Sequence, residues 1–369
     1  MSERQLIIHA GFHKSGTTSL QESLFANRKQ LLEFGIEYPN IGAKAHHRIA
    51  WSITQKPWGW KNRGGEVVPA RYWDRKAKAI DRSSNRDVVI SSEFFSELDF
   101  EQIKRVREKI KRRDLSVIFT LRPLVKLLPS IYQQFLKYGA DIDYESWLHS
   151  VLDEPGESRV QPTFWKRHSH DEVIGRWANL IGTENVKVLI VDEERPEFLF
   201  EEFNKLLNLP PGTLTRQETG SNRSLTVPEI SLLLEINLRF PKERTWSEYE
   251  VFIRSGYIRE LTDHVQPATM ERLATPIWAI EKGNEIGARI RDGIAALGVS
   301  VIGDLNSLAH ASVTAGNPKL PTEIDIATVA AAMLTFDRKT VSRFPLSWIQ
   351  VNLLKRLKRF LKFAHKRVR

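Results

Sequence analysis

Residues 5–21, QLIIHAGFHKSGTTSLQ, decide the fold. Gln5 to His9 is a short β-branched apolar run, a loop of glycine, serine and threonine follows, and Leu20, Leu24, Leu31 and Leu32 then recur at helical spacing. The stretch predicts strand, loop and helix. Gly35 stands where a left-handed helix terminator is expected, and Ile36 to Pro39 leads away in extended form. Farther out, Asp87–Ser91, Leu115–Leu121 and Val186–Val191 are apolar runs separated by helical patterns. Near-continuous apolar strands suit a parallel sheet covered on both faces, so the expected class is α/β. Beyond residue 225 strand signals cease, and Thr226 to Glu229 reads as a capping box opening a helix through Leu232, Leu233, Ile236 and Phe240. The expected division is a core over 1–225, a helical extension over 226–310, a linker with short helices over 311–346 and a basic amphipathic helix over 347–369.

The 369 residues include no cysteine, which excludes disulfide frameworks, cysteine-ligated metal centres and thiol nucleophiles and fits a reducing compartment. The N-terminal apolar run is cut short by His9 and Gly11, and no run of about 18 apolar residues occurs, so the expected location is cytoplasmic. The net charge of +10 invites a nucleic-acid reading until it is located. Residues 355–369 carry 8 Lys and Arg and no acid, leaving 47 bases against 45 acids in the rest. A nearly neutral body speaks against nucleic acid, which requires a basic face on the folded domain.

A loop between a buried strand and a helix aims backbone N–H groups at one point, and the helix dipole adds positive charge, so a multi-oxygen anion is the natural ligand. Gly11 and Gly16 permit close approach, Lys14 adds a full charge, and Ser15, Thr17 and Thr18 add hydroxyls. In the nucleotide loop GxxxxGK[ST] the lysine follows the second glycine directly, whereas here Thr17 follows Gly16 and Lys14 precedes it by two residues. The cradle thus lacks the usual cation for a γ-phosphate.

In this order of residues the sequence resembles the P-loop sulfotransferases that use 3'-phosphoadenosine 5'-phosphosulfate, and bacterial members in particular. The resemblance covers roughly residues 5–225 and implies a P-loop-like three-layer α/β/α fold. It also implies that Gly11, His13, Lys14, Ser15, Gly16, Thr17 and Thr18 hold the phosphosulfate, with that donor as co-substrate and no metal. It further implies that Arg122, ending the third apolar run, and Ser130, in the helical segment after it, clamp the nucleotide's 3'-phosphate. Arginine offers phosphate a planar fork of donors. Pro129 interrupts that helical segment. By the same similarity Asn222, Arg223 and Ser224 belong to a loop closing over the nucleotide, and a polar turn before a helix is the plainer reading of them.

Sulfuryl transfer needs a base for the acceptor and a cation for the bridging oxygen. Lys14 suits the second task. For the first, Glu93 leads, because it lies just past the C-terminal end of a strand, where open α/β sheets build their sites. His47, with its neighbour His46, is the rival base. His168 and His170 lack a third ligand at recognisable spacing, which speaks against a metal. Trp51, Trp58, Trp60 and Trp73 crowd one irregular stretch and offer flat apolar faces to a glycan, glycolipid or hydroxylated metabolite, or pack beneath a loop. From Leu354 to Val368 apolar residues fall three or four apart among Lys and Arg, the pattern of a helix drawn to an anionic membrane surface. Two other functions stay open: a phosphotransferase with a modified loop, and a non-catalytic membrane-surface protein.

Overall fold

The computed structural model describes residues 4–57, 67–217, 223–259, 262, 271–323, 329, 348–350, 353 and 354. Its centre is a six-stranded sheet: β1 (Gln5–His9), β2 (Ile36–Glu37), β3 (Asp87–Ser91), β4 (Asp114–Leu121), β5 (Val186–Ile190) and β6 (Ser300–Ile302), in the order β2-β3-β1-β4-β5-β6. Every pairing is parallel, and the class is α/β as expected.

β1 is flanked by β3 and β4, with His9 opposite both Ser91 and Ile118. The strand order reverses here, since after β1 the chain lays down β2 at the edge and then β3 on one side, and β4, β5 and β6 on the other. Loops leaving the carboxyl ends of strands at such a point diverge and leave a crevice. The loop after β1, Ser92 and Glu93 after β3, and Arg122 after β4 all emerge there.

Alternate residues of each strand face opposite layers. Ile7, Val89, Ile118 and Leu189 pack with Leu20 and Leu24 of α1 (Thr17–Ala26) and Leu31 of α2 (Arg28–Glu33). The helix Phe198–Leu206 adds Phe200 and Phe203 to the same cluster. The other face carries Leu6, Ile8, Val117 and Phe119, all fully buried, and Phe119 meets Trp177 edge to face with ring centroids 6.4 Å apart. Trp177 belongs to the helix His170–Ile181. At the opposite end of the sheet from the crevice, buried Arg113 donates to the main-chain carbonyls of Ile80, Gln5, Arg86, Ser83 and Asn85 at 2.6–3.3 Å.

The residues group into two units, one of 1–131, 145–219 and 274–318, the other of 132–144, 220–273 and 319–369. The first contains β6 and the 20-residue helix Ile277–Ala296, so a strand does occur after residue 225, contrary to the sequence reading. β6 spans only three residues, an exposed Ser300 and half-buried Val301 and Ile302, too few to show a periodicity. In the second unit the helix Val227–Arg239 opens with the expected capping box of Thr226 and Glu229. Pro129 sits inside the helix Leu124–Leu136 without ending it. Among the described residues no helix is long and apolar enough to cross a membrane and no cluster of three metal-ligating side chains occurs. The basic tail from residue 355, Trp58, Trp60 and Asn222 lie outside the described residues.

Candidate active site

The loop after β1 turns twice through the left-handed region. Lys14 has φ 67° and Gly16 φ 84°, the former a strained value for a residue with a side chain. Gly16 caps α1 without a side-chain hydrogen bond, so the first-turn amides of Thr17 and Thr18 carry the unsatisfied donors of any helix start. At Gly11 a Cβ would lie 2.3 Å from Thr120 Oγ1, 2.5 Å from Thr17 Cγ2 and 2.7 Å from His9 Nε2, so no larger residue fits.

A buried polar chain underlies the loop. Ser15 Oγ donates to the Phe12 carbonyl at 2.7 Å and lies 2.8 Å from Thr120 Oγ1, which is 3.2 Å from His9 Nε2; His9 Nδ1 is 2.7 Å from Ser91 Oγ. With Ser15 donating to a carbonyl, Thr120 is the donor to Ser15 and His9 Nε2–H the donor to Thr120, which leaves Nδ1 to accept from Ser91. Burial holds His9 neutral, its pKa lowered to about 3 against the opposing charge of Glu93. The Ser15 hydroxyl is therefore a brace, turned inward, and not the free donor the sequence suggested. Thr18 and Lys14 face solvent at the crevice. The protein around Lys14 lowers its pKa, an effect that Glu93 opposes and Arg122 reinforces.

Arg122 reaches the loop from the end of β4. Its Nη1 donates to the Lys14 carbonyl at 2.9 Å and its Nη2 pairs with Glu193, while its buried Nε has no hydrogen-bond partner. Ser130, predicted beside it, instead donates to the Leu127 carbonyl of its own helix at 2.9 Å. In the second unit Arg223 forms a two-pronged ion pair with Glu229 at 2.7 Å on each arm, and the Ser224 carbonyl accepts from Arg272 at 2.6 Å.

The two rival bases are neighbours. His47 Nδ1 lies 3.7 Å from Glu93 Oε2 and 2.8 Å from Ser92 Oγ, and Gln21 Nε2 approaches the same carboxylate at 3.5 Å. Burial lowers the His47 pKa against the pull of Glu93. Burial alone would raise that of Glu93, but His47, then His13, a main-chain hydrogen bond and Gln21 bring it below the ordinary value. His46, by contrast, is fully buried; its Nδ1 accepts from the Ser91 amide at 3.1 Å and its Nε2 lies 2.9 Å from the Pro39 carbonyl, so it is part of the framework.

Trp51 packs on His47 and Phe94, with ring centroids 5.6 and 5.3 Å away, whereas Trp73 is fully buried in the core. His13 is taken up by Glu97 at 3.0 Å, a buried carboxylate that Lys166 and Arg167 also approach, at 3.4 and 2.9 Å. Burial would raise the Glu97 pKa; Arg167, His13 and Lys166 hold it well below the usual carboxylate range. Nothing in the sequence links Glu97 to His13, 84 residues earlier. His168 and His170 are buried, and the Phe12 ring packs on His170 in a tilted arrangement with centroids 4.1 Å apart.

No protein-family model and no curated protein matches the chain. Among solved structures it is similar to a sulfotransferase from Alicyclobacillus acidocaldarius, with 16% sequence identity, 67% of this chain and 99% of that chain covered, and a TM-score of 0.42.

Proposed function

We propose that the protein is a sulfotransferase that takes its sulfuryl group from 3'-phosphoadenosine 5'-phosphosulfate, in the core expected over residues 1–225. The observation that carries this reading is Arg122 on the Lys14 carbonyl: a guanidinium with a buried, unpartnered Nε stands beside an anion-cradling loop. The loop's own lysine comes before its second glycine, which favours a donor without a γ-phosphate. Gly11, Gly16 and the amides of Thr17 and Thr18 hold the 5'-phosphosulfate, and Arg122 the 3'-phosphate.

The acceptor oxygen gives its proton to Glu93 as the new S–O bond forms in line with the breaking bond to the 5'-phosphate. Lys14 stabilises the charge left on that phosphate oxygen. A Glu93 pKa below the ordinary value keeps it ionised and ready to accept. His47, bound through Nδ1 near Ser92, holds the carboxylate's flank. Trp51, beside this pair, offers a ring face to a sugar or other hydroxylated acceptor, a glycan, glycolipid or metabolite. The reading extends to a cytoplasmic enzyme whose tail over 355–369 meets anionic membrane.

Thermal unfolding tests it. A ligand of the folded state raises the midpoint by mass action. Adenosine 3',5'-bisphosphate without metal should raise it and ATP with Mg2+ should not; the reverse pattern would select a phosphotransferase.

A further inference from the structure

Arg122 makes an ion pair that the nucleotide reading does not require. Glu193 stands in the segment after β5, which is tied to the end of β4 by a bond from the Val191 amide to the Leu121 carbonyl at 2.9 Å. Its Oε1 meets Arg122 Nη2, and its Oε2 meets Lys126 Nζ at 3.1 Å. Lys126 is in the first turn of the helix Leu124–Leu136, and Pro123 makes the short turn that brings it alongside Arg122. All three side chains are only partly exposed, at 26%, 25% and 31%.

Two cations thus converge on one seat, and the group in it is a carboxylate with two oxygens and a single charge. A phosphomonoester carries nearly two charges and three oxygens at neutral pH, and matches a guanidinium plus an ammonium more fully. We propose that Lys126 is a second phosphate-binding cation and that Glu193 is an internal counter-ion, held in the seat until the 3'-phosphate of the nucleotide displaces it. This rests on the nucleotide reading above and adds to it the residues that set affinity for the 3'-phosphate. Glu193 keeps the two cations from repelling one another without ligand, at the cost of weaker binding.

Calorimetric titration of the full-length chain at fixed ionic strength tests the proposal, with adenosine 3',5'-bisphosphate and adenosine 5'-phosphate as probes. Glu193→Gln should tighten the bisphosphate roughly fivefold or more and shift the 5'-phosphate less than about twofold, because only the former reaches the seat. Lys126→Ala should weaken the bisphosphate by a similar factor. Glu193→Asp, whose shorter carboxylate cannot span both cations, should fall between wild type and Glu193→Gln. A Glu193→Gln affinity that is unchanged or weaker, or equal tightening of both probes, overturns the proposal while leaving the nucleotide reading in place. Wild-type protein that does not prefer the bisphosphate ends both.

Discussion

Arg122 donates from Nη1 to the main-chain carbonyl of Lys14 at 2.9 Å, joining residues 108 apart in sequence. The bond ties the end of β4 to the one residue of the loop after β1 that carries a side chain at positive φ. It accounts for two features together: the left-handed turn at Lys14, and a guanidinium held at the crevice although burial lowers its pKa.

Arg122→Ala should weaken adenosine 3',5'-bisphosphate by roughly tenfold to a hundredfold, the value of a charge-assisted hydrogen bond, and weaken adenosine 5'-phosphate less. Arg122→Lys should not restore the difference, since an ammonium cannot serve the Lys14 carbonyl and a phosphate as a planar fork does. Equilibrium titration with both nucleotides checks this, and equal losses for the two would contradict it.

Gly11→Ala should lower stability by about 1–3 kcal/mol through overpacking, because its Cβ would press on Thr120, Thr17 and His9 at once. The melting midpoint should drop by several degrees and nucleotide binding should be lost with it. Wild-type melting and binding in this variant would show that the loop has room for a Cβ at position 11.

Glu93→Gln should cut turnover by roughly a hundredfold or more with donor affinity kept, the pattern expected when a base is removed. His47→Ala should leave a weaker but measurable activity. Because His47 lowers the Glu93 pKa, its removal should move the acid limb of the rate profile to higher pH. A profile of kcat/KM against pH for the two variants settles the assignment: complete loss in His47→Ala with activity kept in Glu93→Gln would make His47 the base.

The buried histidines predict acid lability. Burial lowers His9 and His170 to about 3 and His46 to about 4, while the unfolded chain binds protons near the ordinary value of about 6.5. Below that value the unfolded state holds more protons than the native one, so stability is full above it and falls as the pH drops toward 4, by up to about 1.4 kcal/mol per histidine per pH unit. Urea midpoints at pH 7.5, 6 and 5 should decline in that order; a flat series would contradict the neutral burial of these rings.

Arg113→Met should destabilise strongly, by about 3 kcal/mol or more, because it removes at once the bonds to the carbonyls of Ile80, Gln5, Arg86, Ser83 and Asn85, of which Ile80 and Arg86 keep a main-chain donor in Ser83 and Gln5. Denaturant titration gives the value, and a change under about 1 kcal/mol would mean that water replaces the guanidinium.

Four of the six strands were legible because each is a five- to eight-residue apolar run, long enough to state its class. β6 was not, and β2, with two residues, showed only as an extended segment before a proline. Gly16 was legible because its left-handed turn favours glycine locally, whereas the need for glycine at position 11 comes from Thr120, brought across by the sheet. Contacts made by the fold were not: Glu97 under His13, Gln21 on Glu93 and Glu193 on Arg122 join elements that only the sheet order brings together. The Ser130 hydroxyl bonds to its own helix, as a serine inside a helix readily does, a contact the residue order did not state.

The most direct test is a crystal structure with adenosine 3',5'-bisphosphate. The 5'-phosphate should lie on the amides of Gly16 to Thr18 within reach of Lys14, and the 3'-phosphate on Arg122. Nucleotide bound elsewhere, or an Arg122 side chain turned away from the loop with the ligand present, would contradict this placement.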